Sequence, residues 1–134
     1  LLGAVAFLPR LVARLRERPM LAVEDLRVRA DNAQGLILDV RKATDFTGEQ
    51  GHIAGALNLP LEELKTRLSE LGDDPDRPIA IVCRTDRRSA RAAALLVRSG
   101  FADVRVVRGG MTAWLANGWP VEGRSDSAAE GRKA

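Results

Sequence analysis

The stretch Ile79-Ala-Ile-Val-Cys83, followed by Arg84-Thr-Asp-Arg-Arg-Ser89, decides the fold class of this chain. Its first five residues are all apolar, as is typical of a strand buried on both faces of a parallel sheet. The next six are polar or cationic, and the alanine- and leucine-rich segment from Ser89 to Ser99 then predicts a helix that Gly100 ends. This order predicts a strand–loop–helix unit with Cys83 at the carboxyl end of its strand.

The rest of the chain alternates between strands and helices in the same way. Two further apolar runs predict strands at Leu36–Val40 and Val104–Val107. Apolar spacing and glycine positions predict helices at 22–33, 61–71 and 111–117. The alternation predicts an α/β domain whose central, mainly parallel β-sheet is flanked by helices on both faces.

Length and composition suit one compact domain. The chain has 134 residues, of which 46% are apolar and 29% charged, and this balance excludes both intrinsic disorder and a multi-span membrane protein. We expect three parts: an N-terminal basic amphipathic helical extension at 1–21, the domain at 22–122 and a flexible tail at 123–134. The net charge of +3 favours small anions over nucleic acid as partners.

The N-terminal extension leaves two interpretations open. Apolar side chains repeat with helical spacing over residues 8–15, with arginines between them. Residues 1–18 either pack on the domain or on a second copy of the chain, or they adjoin a membrane whose anionic lipids the arginines meet. A cytoplasmic localisation fits a single cysteine without a disulfide, and membrane association is the alternative.

Cys83 is the only cysteine and His52 the only histidine, which excludes an internal disulfide and a Cys/His zinc site within the chain. The thiol therefore either packs as an inert core side chain or takes part in a reaction. A loop that turns its backbone N–H groups toward the thiol forms an anion nest, and the helix N-terminus adds positive potential. With Arg84, Arg87 and Arg88 nearby, each of these features favours the thiolate.

Five segments together resemble the rhodanese-type sulfurtransferases. In chain order they are Leu38-Asp-Val-Arg41, Gly51-His-Ile-Ala-Gly-Ala-Leu-Asn-Leu-Pro60, Ile81-Val-Cys83, the six-residue loop Cys83–Arg88 and Gly109-Gly-Met-Thr-Ala-Trp-Leu-Ala-Asn-Gly-Trp-Pro-Val121. Their order and spacing identify residues 22–122 as similar to a single rhodanese-like domain.

The resemblance implies a thiosulfate sulfurtransferase-type enzyme. Cys83 would take a sulfane sulfur from a small anionic donor such as thiosulfate, hold it as a persulfide and pass it to cyanide, a thiol or a protein. No metal or organic cofactor is implied. The implied substrate-binding residues are those that follow the nucleophile: Arg84, Thr85, Asp86, Arg87, Arg88 and Ser89.

The loop residues are expected to have different roles. Arg84 and Arg87 would meet the anionic donor, whereas Arg88 and Ser89 would supply backbone N–H groups and cap the helix. Asp86 stands where the family commonly has glycine. Its carboxylate either pairs with Arg84 or Arg87 and sets the shape of the loop, or points to solvent.

Three residues outside the loop are expected to support the site. Asp39 would satisfy backbone donors at a strand end. Arg41 would either hold an ion pair there or reach the mouth of the site. His52 would be a scaffold residue that hydrogen-bonds a neighbouring loop rather than a general base.

Two alternative functions remain at this stage. The first is a non-catalytic or regulatory binding module of the same fold, tethered to a membrane through the N-terminal extension. The second is a phosphatase or arsenate reductase of the same fold, but the related domains with those activities have a seven-residue loop. The count of six from Cys83 to Arg88 favours sulfur transfer.

Overall fold

The computed structural model describes residues 20–123, which form one sheet covered by helices on both faces. The strands are β1 (Met20–Leu21), β2 (Leu36–Asp39), β3 (Leu57–Asn58), β4 (Ile79–Val82) and β5 (Val104–Val107). The helices are α1 (Val23–Asp31), α2 (Ala43–Phe46), α3 (Leu61–Leu64), α4 (Arg87–Arg98) and α5 (Gly110–Ala116), with a 3-10 turn at Leu68–Leu71. The predicted α/β class is confirmed.

The sheet runs in the order β1-β5-β4-β2-β3, and each neighbouring pair within residues 20–123 is parallel. All carboxyl ends therefore lie at one edge, where ligand sites of open α/β sheets form. Asp39 is in register with Val82, so the chain that follows β2 emerges beside Cys83. The turn after β5 emerges on the other side of β4.

Side chains of β4 alternate between two apolar cores. Ile79, Ile81 and, directly after the strand, Cys83 point into the core that α3, the 3-10 turn and α4 cover. Ala80 and Val82 point into the core that α1 and α5 cover. Because both faces of the strand are buried, it reads as an unbroken apolar run, as the sequence predicted.

The prediction of a single helix over 61–71 is wrong, because this segment divides into α3 and the 3-10 turn. Arg67 interrupts it with backbone angles of φ −117° and ψ 19°. The N–H groups of Thr66 and Arg67 bond carbonyls three residues back, and Thr66 Oγ1 also donates to the Glu63 carbonyl at 3.0 Å. Side-chain bonding of this kind competes with the regular α-helical ladder.

Met20 and Leu21, which we placed at the end of the N-terminal extension, pair with β5 as the sheet's edge strand. The predicted amphipathic helix and nearly all of the predicted tail lie outside the described residues. Within residues 20–123, no helix is both long and apolar enough to cross a membrane.

Candidate functional site

Cys83 lies directly after β4, at the carboxyl edge of the sheet, and is 1% exposed. Its Sγ donates a hydrogen bond to the carbonyl oxygen of Thr85, with 3.0 Å between the two atoms. A carbonyl oxygen only accepts hydrogen bonds, so this contact belongs to the protonated thiol.

The backbone that follows Cys83 carries a row of unpaired donors. In the described chain, none of the six N–H groups from Arg84 to Ser89 donates to a protein acceptor, and Ala90 N–H is the first that does, to the Asp86 carbonyl at 3.1 Å. Three of the six belong to the first turn of α4, where a helix leaves its N–H groups free. Consecutive free N–H groups at a helix N-terminus are suited to binding an anion.

The N-terminus of α5 fixes the orientation of the loop. Met111 N–H donates to the Cys83 carbonyl at 2.8 Å, and Thr112 donates to the Arg84 carbonyl from its N–H at 3.1 Å and from Oγ1 at 3.0 Å. In a trans peptide the C=O and N–H point in opposite directions. Holding these two carbonyls therefore directs the N–H groups of Arg84 and Thr85 away from α5.

Gly110 permits this close approach. Its φ is +49°, and a β-carbon added there would overlap the carbonyl oxygens of Cys83 and Thr85. Only glycine combines this backbone conformation with the absence of a side chain. The paired glycines Gly109 and Gly110 are the sequence signal for this contact, although no role was predicted for Gly110, Met111 or Thr112.

The loop arginines differ in their exposure and in their ion pairs. Arg84 and Arg87 are exposed, and neither makes an ion pair within residues 20–123. Arg88 instead reaches Glu62, with 3.6 Å between Nη1 and Oε1. Asp86 is exposed with φ −125°, so it needs no left-handed backbone, and no ion pair in the described chain joins it to Arg84 or Arg87.

Ser89 does not cap the helix as we expected. The helix begins two residues earlier, at Arg87, and its N-cap residue is Asp86, which makes no side-chain capping hydrogen bond. Ser89 is instead fully buried in the first turn, and its hydroxyl has no hydrogen-bond partner within residues 20–123. A buried donor without a partner is rare in native structures.

Asp39 and Arg41 form a buried ion pair beside the loop. Arg41 Nη2 lies 2.7 Å from Asp39 Oδ2 and Nε lies 3.0 Å from Oδ1, which is a bidentate arrangement. Asp39 also accepts the Arg41 backbone N–H at 3.0 Å, and Arg41 Nη2 donates to the Gly51 carbonyl at 2.8 Å. The pair thus anchors the chain on both sides of residues 42–50.

His52 packs against the same segment. Its Nδ1 lies 2.8 Å from the Phe46 carbonyl oxygen, to which it must donate, and its ring stacks on the Phe46 ring at 3.6 Å. Its backbone pairs with Glu122. These contacts hold His52 as part of the scaffold.

A cavity of about 390 Å³ opens between the loop and this segment. Its walls are formed by Arg41, Thr44, Asp45, Gly48, Glu49, Gln50 and Arg84. Of the site residues predicted from sequence, the structure places Arg41 and Arg84 on one cavity. No group of three His, Cys, Asp or Glu side chains among residues 20–123 is arranged to hold a metal ion.

Comparison with known proteins gives the same family on several grounds. The family model of the rhodanese-like domain matches residues 22–117. A sulfurtransferase from Allochromatium vinosum is 37% identical over 92 residues, covering 69% of this chain and 82% of that protein. The thiosulfate sulfurtransferase GlpE of Shewanella oneidensis is 40% identical over 78 residues, covering 58% of this chain and 73% of that protein.

A solved structure shares the fold. The crystal structure of a rhodanese-related protein from Thermoplasma volcanium is 28% identical and superposes with a TM-score of 0.69, covering 78% of this chain and 98% of that chain. The family model spans the sheet from α1 to α5, including Cys83 and the loop after it. The chain therefore belongs to the rhodanese-like domain family.

Proposed function

We propose that this protein is a sulfurtransferase that carries a sulfane sulfur as a persulfide on Cys83, taking it from an anionic donor such as thiosulfate and passing it to a thiophilic acceptor. Two sulfurtransferase-named relatives, at 37% and 40% identity, support the reaction class. Retention of the cysteine at the strand end supports a catalytic rather than a purely binding role.

The observation that carries this proposal is the row of six N–H groups beside a strand-end cysteine, Arg84 to Ser89, which donate to no protein acceptor within residues 20–123. A persulfide holds negative charge on its outer sulfur. Backbone donors aimed at that position stabilise it as an oxyanion hole stabilises oxygen, and they need no reorganisation during the reaction.

The donor step begins when the Cys83 thiol loses its proton to a solvent base. The hydrogen bond to the Thr85 carbonyl is then lost, and the thiolate is repelled by that oxygen at 3.0 Å. The sulfur is free to turn toward the N–H groups, where negative charge is favoured.

The thiolate then attacks the outer sulfur of thiosulfate. A bond forms between Cys83 Sγ and this sulfur while the bond between the two donor sulfurs breaks, and its electron pair leaves with sulfite. The products, a Cys83 persulfide and sulfite, account for every atom and charge of the thiolate and thiosulfate, so the step needs no external oxidant or metal.

The position of Arg88 supports sulfur transfer over phosphoryl transfer. A phosphatase of this fold would need a cationic side chain clamped on the tetrahedral oxyanion. Arg88 is instead in the first turn of α4 with its guanidinium paired to Glu62. Arg84 and Arg87 are exposed and make no ion pair within the described part of the chain, so they are better placed to attract a donor than to enclose a phosphate.

Intact-mass spectrometry tests this function. Incubation with thiosulfate should add one sulfur atom to the wild-type protein, cyanide should remove it, and folded Cys83→Ser should take up none. A wild-type protein that stays unmodified with thiosulfate and with an organic persulfide donor would overturn the proposal in favour of a binding module. Hydrolysis of aryl phosphates without sulfur uptake would favour a phosphatase.

A further inference from the structure

The outward face of α4 is basic from its first turn to its last. Arg87, Arg91 and Arg98 are exposed, and their spacing of four and seven residues places them on one side of the helix. None of the three makes an ion pair within residues 20–123, and α4 contains no acidic residue. We call these three arginines the basic face; their uncompensated charge attracts anionic partners.

The first turn of α4 carries positive charge where it disfavours the helix. A helix N-terminus has positive potential, so cations there lower helix stability and carboxylates raise it. α4 nevertheless begins with Arg87 and Arg88 and has no acidic residue in its first turn. Glu62 compensates Arg88 at 3.6 Å, whereas Arg87 has no ion-pair partner in the described chain. The position of Arg87 is thus unfavourable for folding and favourable for binding an anion.

A second cavity, of about 420 Å³, adjoins the basic face. It lies between α3 and α4 and is lined by Leu61, Glu62, Arg91, Ala94, Leu95 and Arg98. Leu61 and Leu95 are half-buried and give it an apolar surface. Along α4 the two cavity arginines stand on either side of Leu95. This arrangement suits an aliphatic side chain with a carboxylate on each side of it.

The second cavity does not reach the nucleophile. Neither Cys83 nor any residue of the loop after it lines the cavity. Arg98 stands about 16 Å along the helix from Arg87, since each helical residue adds about 1.5 Å. A small molecule held between Arg91 and Arg98 therefore does not extend to Cys83. A polypeptide lying along α4 does, because the helix starts four residues after the nucleophile.

We infer that the basic face and its cavity form a docking surface for an acidic protein segment, and that this protein carries the thiol that accepts the sulfur. The inference rests on the proposed function, because it assigns the partner of the same site. A second copy of this chain would place the basic face against itself in a two-fold dimer, where like charges meet. Nucleic acid offers phosphates but no aliphatic side chain for the cavity.

In the transfer step the partner's thiolate attacks the outer sulfur of the Cys83 persulfide. A bond forms between the two sulfurs, the bond from that sulfur to Cys83 Sγ breaks, and its electron pair stays on Cys83 as thiolate. The partner leaves as a persulfide that holds the transferred sulfur. Atoms and charge balance without a further reactant.

Two synthetic hexapeptides are the probes. Each has cysteine at position 1 and leucine at position 4, with glutamate at positions 3 and 6 in the acidic peptide and glutamine there in the neutral one. An extended chain advances about 3.4 Å per residue, so the glutamates lie about 10 Å apart, as Arg91 and Arg98 do along α4. The cysteine then lies about 7 Å beyond the first glutamate, near the start of the helix.

The measurement is the second-order rate constant for loss of sulfur from Cys83, per peptide thiolate, on protein loaded with thiosulfate and desalted. The acidic peptide should react about four- to tenfold faster than the neutral one at low ionic strength, the effect of two exposed ion pairs. Salt at 0.5 M should bring this ratio toward one.

Arg91→Gln and Arg98→Gln should each lower the ratio about two- to threefold, and the double variant should bring it close to one. Their thiosulfate:cyanide turnover should equal that of the wild type, because neither arginine belongs to the loop. Arg105→Gln is the control for net charge. Arg105 lies on β5 between Val104 and Val106, which point into the core under α4, so its side chain lies on the opposite face of the sheet. Its ratio should equal that of the wild type.

A ratio that is the same in the wild type and in the double variant would overturn the inference. Sulfur loaded on Cys83, measured by mass, would then leave the proposed function standing, whereas a protein that loads no sulfur would remove the function and the inference together. Binding of single-stranded DNA or phosphatidylglycerol vesicles that the double variant loses, with equal rates for the two peptides, would assign the basic face to a nucleic acid or a membrane instead.

Discussion

Thr112 donates two hydrogen bonds to the carbonyl oxygen of Arg84, one from its N–H at 3.1 Å and one from Oγ1 at 3.0 Å. The two residues are 28 positions apart in sequence, so the contact exists only in the folded chain. It holds the peptide plane between Arg84 and Thr85 with its N–H directed away from α5. The orientation of the N–H row thus depends on a helix outside the loop.

Thr112→Val should reduce sulfur transfer several-fold while the protein remains folded. The substitution removes the Oγ1 hydrogen bond and keeps the backbone one, so the free energy of unfolding should fall by about 1 kcal/mol. Turnover falls because the peptide plane is held less firmly at the position of the bound sulfur. Urea unfolding and thiosulfate:cyanide turnover measure the two effects.

Thr66→Val is the control for this variant. Thr66 is also exposed, and its Oγ1 donates to the Glu63 carbonyl at 3.0 Å, far along the chain from the loop. It should lose similar stability and keep wild-type turnover. Equal turnover in both variants would show that the bond from Thr112 does not matter for the reaction.

Gly110→Ala should abolish most sulfur transfer. The added methyl group would overlap the Cys83 and Thr85 carbonyl oxygens. Alanine at positive φ also lowers the free energy of unfolding by about 1 kcal/mol or more. Gly118→Ala separates these effects, because Gly118 has a φ of +70° but open space around its β-carbon position. We expect Gly118→Ala to lose stability in urea unfolding but keep its activity; loss of activity in both variants would contradict the steric explanation.

Asp39→Asn should lower the free energy of unfolding by about 3 kcal/mol, since it leaves the Arg41 guanidinium buried without its counter-charge. The exposed pair of Arg27 and Asp31, at 3.1 Å, provides the comparison. Asp31→Asn should lower the free energy of unfolding by less than about 1 kcal/mol. Solvent screens this exposed pair, and an acidic residue at a helix C-terminus is unfavourable in any case. Equal losses in urea unfolding would contradict the buried pair's role.

The strongest sequence signals led to the correct elements, and short ones were missed. The apolar runs of β2, β4 and β5 and the alanine- and leucine-rich segment of α4 are long enough to be predicted from the residues alone. Strands β1 and β3 have two residues each, and neighbouring strands rather than their own composition form them. Helix α2, with four residues, is likewise below the length that periodicity can detect.

The nucleophile, the Arg41 ion pair and the scaffold hydrogen bond of His52 were predicted from the sequence, whereas the contacts between separate loops were not. Cys83 followed from its place after an apolar run and from the arginines around it. The contact of Thr112 with Arg84, and the cavity shared by Arg84, Asp45 and Glu49, depend on tertiary packing between separate loops. The prediction that Ser89 caps α4 was wrong. The helix starts at Arg87, so Ser89 is its third residue and lies past the N-cap position.

Ser89→Ala should separate function from stability. The buried Ser89 hydroxyl has no partner within residues 20–123, so its removal loses no hydrogen bond, and the free energy of unfolding should stay the same or rise by up to about 1 kcal/mol. We expect this unpaired hydroxyl, in the turn that carries the N–H row, to donate to the persulfide, so sulfur transfer should fall several-fold. Ser99→Ala, at the other end of α4, removes a hydroxyl that donates to the Leu95 carbonyl at 2.8 Å and should leave turnover unchanged. Stability lost by Ser89→Ala would reveal an intramolecular partner, and unchanged turnover would show that the hydroxyl does not contact the transferred sulfur.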